Sequence, residues 1–454
     1  MSTPNTREEW SSRWGFIVVA TGAAAGLGNI WKFPYIVGEN GGGAFMLVYL
    51  AAILLVALPI LAAELLLGRL GNLNVIDGLR RIAVARGYPA AWSRLGWIGL
   101  LSCFVVLSFY SVVGGWTLAY FVGALSGGLV VEGGAPGPLY FADLFDSIVS
   151  SPARSVAWHT AFIALTAVVV GSGVARGIER LCRWLMPLLF LLLLLLVVYA
   201  AATMPEFSAA LRFLFAPDIS KLSWEGALTA VGHAFFTLSV GVGAMLTFGS
   251  YLPTGVRLGA AAFTVAGLDT LVAILAGLAI FPIVFAYGMQ PGSGPGLVFV
   301  TLPVAFAAMP GGPFVAALFF ALLAVAAFTS APSMLEPMVE YVRERSKGSR
   351  TQATLKVVLA VWLFGLAQAL SFGDWASVTL LGKNLFELSD FLVSNILLPV
   401  GGLLIATFVG WALLPADTAG SLGIRQPLLH KAWLLSLRVV APLALVLLLA
   451  GGLA

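Results

Sequence analysis

The chain has 454 residues, of which 60% are hydrophobic and only 10% charged, with a mean hydropathy of +1.01 and a formal net charge of +4. Soluble chains carry about 25% charged residues, so these proportions exclude a water-soluble multidomain protein and leave an integral membrane protein. Two cysteines (Cys103, Cys182) and three histidines (His159, His233, His430) share no ligand spacing, which excludes a disulfide framework, a zinc site and a metal-dependent membrane protease. Nothing in this charge balance suggests a nucleic-acid partner.

Residues 1–13 are polar, and the apolar run after them is broken by Gly28, Asn29 and Lys32. No small-residue cleavage site follows, so no signal peptide is expected. Apolar stretches of about 20 residues predict eleven transmembrane helices near 14–37, 43–69, 96–125, 157–174, 181–203, 226–249, 256–288, 313–342, 354–371, 387–413 and 432–452. The seventh and eighth are long for one crossing and should tilt or project. The expected fold is therefore all-α and integral to the bilayer, as one domain over 1–454.

Basic residues orient the chain. With the N-terminus in the cytoplasm, the outer loops hold only Arg154, Arg212, Lys221 and Lys383, and Lys32 lies inside the first span; the rest of the 24 fall on the cytoplasmic side. An odd number of spans puts the C-terminus outside.

The first and sixth spans are poor helices at their centres. One carries Gly22, Gly26, Gly28 and Asn29, and the other Thr237, Ser239, Gly241 and Gly243. Each glycine costs roughly 1 kcal/mol against alanine in a helix interior. A single glycine is ordinary close helix packing; two polar-flanked clusters five spans apart suggest an internal five-plus-five repeat, 1–203 and 226–413, with 432–452 as an additional helix. Unwound backbone is tolerated at mid-membrane depth only where it lines a cavity. There, freed carbonyls can take Na⁺ and half-helix amides can take a carboxylate.

The runs Gly26-Leu27-Gly28-Asn29-Ile30-Trp31-Lys32-Phe33-Pro34 and Glu39-Asn40-Gly41-Gly42-Gly43-Ala44-Phe45 resemble the first-helix signature of the neurotransmitter:sodium symporters, which have the bacterial leucine-transporter fold. Phe235-Phe236-Thr237-Leu238-Ser239 is similar to that family's sixth helix, and Thr329-Ser330 to its eighth. The resemblance covers nearly the whole chain and implies an inverted repeat with helices 1 and 6 broken, in a bacterial-type inner (plasma) membrane. Many members have twelve helices; this chain stops after eleven, as some bacterial relatives do.

The resemblance implies two Na⁺ sites and no organic cofactor. One would use the carbonyls of Gly22, Ala25 and Ala326 with the hydroxyls of Thr329 and Ser330. The other would use Ala24, Asn29, Thr237, Asp269 and the substrate's own carboxylate. The implied amino-acid site has Tyr110 and the amides near Gly26 and Gly28 on the carboxylate, with Phe236 as a lid. Its side-chain pocket would be Val106, Val113, Ser239, Val242, Ser330 and Met334. Thr237 and Ala24 border both ion and substrate. Monoamine-carrying members have an aspartate where this chain has Gly26, so amino acids are favoured over amines. Lys32 and Asp390 match the outer gate pair, with lysine in place of the usual arginine. Arg7 matches the inner gate, with Trp10 beside it, Glu344 as its expected partner, and Tyr251 and Ser250 in support.

Val242 stands where the leucine-selective relative has phenylalanine, which implies large hydrophobic substrates. Chloride-dependent members have asparagine at the position of Asp269. They also have a serine where this chain has Ala273 and a glutamine where it has His233, while Tyr49 and Thr237 remain. That pattern implies chloride-independent transport, with Asp269 balancing the charge and returning with a proton. The competing readings are a carrier of small amino acids or related zwitterions, and, from another class, a channel or passive pore. A pore predicts a ring of selectivity residues and a continuous polar stripe, and neither is seen. No paired catalytic aspartates or metal triad suggest an intramembrane enzyme. The oligomeric state is not legible.

Overall fold

The computed structural model describes residues 8–129, 137–253, 255–289, 296–346 and 348–453. Among these, nine helices are long and apolar enough to cross a membrane: Gly43–Gly71, Ala90–Leu125, Pro152–Gly171, Val174–Thr203, Leu258–Ala286, Gly312–Ser346, Arg350–Leu370, Leu385–Ala412 and Pro427–Gly452. A tenth is a pair, Arg13–Ala24 and Gly28–Glu39, bent by 43° at the break between them. By length and composition the described chain is thus one span short of the expected eleven. The difference is the expected sixth span, which folds as Trp224–Thr237 and Ala244–Ser250, halves of 14 and 7 residues that are each too short alone. Both helices expected to be broken are broken.

Local sequence explains where the helices start. Ser223 accepts from the Gly226 N–H at 2.9 Å, capping the first half of the sixth span. Reciprocal capping boxes, Ser349 with Gln352 and Asn384 with Glu387, open the ninth and tenth. Short helices at Val75–Ala85, Pro138–Val149, Phe207–Phe215, Leu297–Ala308 and Pro415–Leu422 fill stretches expected to be loops. Each falls below the twenty-residue length that marks a span, so a hydropathy reading passes over them.

The third span is the hub: 83% of its most apolar window is buried, against 33% for the fourth, fifth and last. The second span and the second half of the sixth, Ala244–Ser250, meet main chain to main chain. A Cβ on Gly68 would lie 2.0 Å from the Leu246 carbonyl oxygen, and one on Gly249 would lie 2.6 Å from that of Leu65. Only glycine permits this approach.

Candidate functional site

The first helix stops at Ala24, with Ala25 at φ −73° and ψ 67°, and regular hydrogen bonding resumes in a π-helical turn over Gly28–Lys32. The sixth stops at Thr237 and crosses Ser239, Gly241 and Gly243 at φ +52°, +86° and +79° before restarting at Ala244. Left-handed backbone suits the two glycines; at Ser239 it costs about 1–2 kcal/mol. Its hydroxyl donates to the Ala23 carbonyl at 3.1 Å, tying one break to the other. The Gly241 N–H, freed from helical bonding, donates to the buried Glu64 carboxylate of the second span.

Between the breaks lies a cavity of about 40 Å³. Ala24, Gly26 and Gly28 line it from the first helix, Val106 and Tyr110 from the third, Phe236, Ser239 and Val242 from the sixth, and Ser330 and Met334 from the eighth. All ten were expected there. Val113 lines an adjoining cavity of about 400 Å³ on the Lys32 side, which shares Leu27, Gly28, Tyr110 and Phe236 with the first. Thr237 does not line the small cavity; it turns to Asp269. Ala23, Leu27 and Leu398 line it unexpectedly. Leu398 is one leucine among many in an apolar helix, and no sequence signal could have singled it out. The Tyr110 hydroxyl accepts from the Leu27 N–H at 3.3 Å. A methyl at Gly26 would sit 2.3 Å from Ser330 Oγ and 3.0 Å from the Tyr110 hydroxyl. Gly26→Ala is therefore expected to weaken ligand binding about 5- to 150-fold, since overpacking costs about 1–3 kcal/mol; equilibrium binding of labelled amino acid to purified protein measures it.

Beside the cavity is a buried carboxylate. Asp269 Oδ1 accepts from Asn29 Nδ2 at 2.9 Å, and both of its oxygens lie within reach of the Thr237 hydroxyl, at 3.0 and 3.1 Å. Thr237 also reaches Asn29 Oδ1 at 3.1 Å. No cationic side chain pairs with Asp269 among the described residues. An unbalanced carboxylate at this depth is costly, and the oxygen-rich surroundings suit a hard monovalent cation.

A second oxygen cluster joins the first and eighth helices. Ser330 Oγ donates to the Gly22 carbonyl at 2.8 Å, and Thr329 Oγ1 donates to that of Ala326 at 3.0 Å, with Ala25 fully buried on the first helix. The buried Thr21 hydroxyl has no partner among the described residues and was not expected in the set.

Contacts between helices flank the cavity on two sides. On one side Lys32 Nζ lies 3.0 Å from Asp390 Oδ1 and 4.4 Å from the centre of the Phe236 ring. On the other, the Trp10 indole N–H donates to the Phe248 carbonyl at 3.0 Å, and its ring meets Phe248 and Tyr251 edge-on. Arg7 lies outside the described residues. Glu344 accepts from the Asn74 N–H at 3.2 Å, and Ser250 donates to the Thr247 carbonyl. The Tyr251 hydroxyl donates at 2.8 Å to Glu336, which pairs with Arg350, and Arg350 also meets Glu8 at 3.2 Å. The sequence reading missed Glu336 and Arg350. Glu336 did carry a signal, as an acidic residue one turn beyond Pro332 in an apolar run.

The sodium:neurotransmitter symporter family model matches residues 7–132 and 142–453. The crystal structure of MhsT in complex with L-phenylalanine superposes with a TM-score of 0.90 at 42% identity, covering 98% of this chain and 100% of that one. An uncharacterized sodium-dependent transporter of Bacillus subtilis is 40% identical over 97% of this chain and 96% of its own length. The sodium-dependent serotonin transporter of Drosophila melanogaster is 24% identical over 84% of the chain. Two broken helices around a cavity, a buried carboxylate with no cationic partner among the described residues and these likenesses agree: the chain is a multi-pass membrane transporter, not an enzyme, and belongs to the sodium:neurotransmitter symporter family.

Proposed function

We propose that the protein is a secondary active symporter in which Na⁺ moving down its gradient carries a hydrophobic amino acid inward by alternating access. The observation that carries this reading is the convergence of two helix breaks and Tyr110 on one cavity, next to an Asp269 without a cationic partner. The substrate carboxylate takes the Tyr110 hydroxyl and the amides of the first break, the role that the Leu27 N–H geometry foreshadows. One Na⁺ sits between that carboxylate, Ala24, Asn29, Thr237 and Asp269. The other sits among Gly22, Ala25, Ala326, Thr329 and Ser330. Sharing the first ion with the substrate makes their affinities reciprocal.

Phe236 and the Lys32–Asp390 pair gate the outer side; Arg7, Trp10, Tyr251 and Glu344 gate the inner side. Lysine is a point charge without the guanidinium fork, so the outer gate opens readily. Residues 1–203 and 226–413 act as the two repeats, with the N-terminus in the cytoplasm and the C-terminus outside a bacterial plasma membrane. Chloride is not required. Once Na⁺ and substrate leave, Asp269 takes a proton and returns it outward.

The structural neighbour bound to L-phenylalanine supports a hydrophobic substrate over small zwitterions. In proteoliposomes, an inward Na⁺ gradient should concentrate labelled L-phenylalanine above equilibrium. Equal uptake with K⁺ replacing Na⁺ would reject the symport reading, and unsaturable flux would favour a passive pore.

A further inference from the structure

Between the fifth and sixth spans the chain carries the helix Phe207–Phe215, on the side of the molecule where the first helix ends at Glu39 and the seventh at Ala286. This short helix has two unlike faces. Ala210 and Leu214 are fully buried, and the Phe213 ring packs 4.9 Å from Phe281 and 5.4 Å from Phe285. Leu211, Phe215 and, just after the helix, Ile219 are exposed. Apolar side chains turned outward on a short helix at the ends of the spans suit the boundary between lipid headgroups and acyl chains.

The segment is held in place by main chain. A Cβ on Gly41 would lie 2.7 Å from the Lys221 carbonyl oxygen, and one on Gly42 would lie 2.6 Å from that of Phe213. The turn after the first helix therefore rests directly on residues 213–221, and it helps to fix the walls of a cavity of about 400 Å³. Arg212, Lys221 and Asp218 line that cavity together with Gly41, Phe213 and Phe285. Lys221 Nζ lies 3.4 Å from Asp218 Oδ2, so these two charges offset each other. Arg212 donates from Nε to the Ser208 carbonyl at 3.5 Å, and no acid pairs with it among the described residues. Two cations against one carboxylate leave the cavity with a single net positive charge beside an apolar flank.

We propose that this cavity binds the phosphodiester headgroup of an anionic phospholipid. The site shares no residue with the substrate cavity or the two oxygen clusters, so it stands apart from the identity of substrate and coupling ion. A guanidinium fork matches two phosphate oxygens, and the lysine adds a point charge beside it. A monoanionic phosphodiester balances the one net positive charge. Leu211, Phe215 and Ile219 offer its acyl chains an apolar surface. A zwitterionic lipid carries the same phosphodiester but also an ammonium, which Arg212 and Lys221 repel. Free phosphate would meet the charge and gain nothing from the apolar flank.

Native mass spectrometry of the full-length protein in detergent, titrated with dioleoyl phosphatidylglycerol and dioleoyl phosphatidylcholine, reads the ratio of the two affinities. Each basic side chain near an anionic headgroup is worth about fivefold, so the parent should prefer phosphatidylglycerol by about fivefold or more. Arg212→Gln and Lys221→Gln should each bring the ratio close to parity, and Arg212→Lys should keep most of it. Asp218→Asn should raise the ratio about fivefold, a gain that damage to the fold would not produce. Arg154→Gln, which removes a basic residue outside the cavity, should leave it unchanged. A ratio that stays at the parent value in both glutamine variants would overturn the site, and so would no gain in Asp218→Asn. An equal loss in Arg154→Gln would overturn it in favour of diffuse surface charge. Displacement of phosphatidylglycerol by an equal concentration of inorganic phosphate or sn-glycerol 3-phosphate would overturn the lipid assignment in favour of a free anion.

Discussion

Asp269→Asn is expected to lower Na⁺-driven uptake by two to three orders of magnitude, and replacing chloride with gluconate at constant Na⁺ is expected to leave the parent unaffected. The carboxylate is held by two neutral donors, Asn29 and Thr237, and by no cation among the described residues. Its charge is therefore available to balance Na⁺ and the substrate ammonium. Removing one side of a buried charge pair costs about 3–5 kcal/mol, which sets the size of the loss. Ala273, one turn further along the seventh helix, is fully buried and lacks the hydroxyl an anion would need. In the Asp269→Asn background, Ala273→Ser should restore part of the transport, and that part should respond to chloride. Uptake measured in matched chloride and gluconate buffers decides the matter; strong chloride dependence of the parent would reject the role given to Asp269.

Val242→Phe should weaken tryptophan binding by about 30-fold while leaving alanine nearly unchanged, since forcing extra volume into a packed site costs about 1–3 kcal/mol. Val242 lines the cavity between Gly241 and Gly243, both in left-handed backbone, so the wall here is main chain plus one small side chain. The cavity has only about 40 Å³ of free space. A large side chain must therefore displace Phe236 or Met334, and the smaller residue at 242 leaves room for that adjustment. Competition of unlabelled tryptophan and alanine against a labelled substrate gives both values. Equal losses for the two amino acids would remove Val242 as the size determinant.

Much of this architecture was legible because it is written in residues that are costly where they stand. Glycines inside apolar helices, an asparagine beside them and an aspartate in the seventh span are unfavourable in a bilayer unless they serve a site, so they stood out. Nearly all the residues singled out on that basis converge on one cavity and its two flanking oxygen clusters. Leu27 and Leu398 were invisible because leucine in an apolar span carries no information beyond its place in the bilayer. Val113 lies less than one turn beyond Tyr110 on a helix whose middle is buried, where neighbouring apolar residues are interchangeable on paper, and it faces the adjoining space on the Lys32 side. The ties of Tyr251 to Glu336 and of Gly241 to Glu64 join segments 85 and 177 residues apart. Such pairings depend on how helices are arranged in space, which hydropathy does not encode. The sixth span lost its regular length for a related reason: three residues in left-handed backbone cannot continue a right-handed helix.

The glycine seam between the second helix and the Ala244–Ser250 half of the sixth has a mechanical consequence. With main chain resting on main chain at Gly68 and Gly249, there is no layer of side chains to yield, and tightly packed surfaces shift between discrete arrangements rather than stretching. The two helices therefore travel as one strut. The Gly241–Glu64 bond fixes the cavity end of that strut, and the Phe248 carbonyl, gripped by Trp10, lies toward its other end. A push or release at the N-terminal segment is delivered to the cavity floor without slack, as torque along a rod.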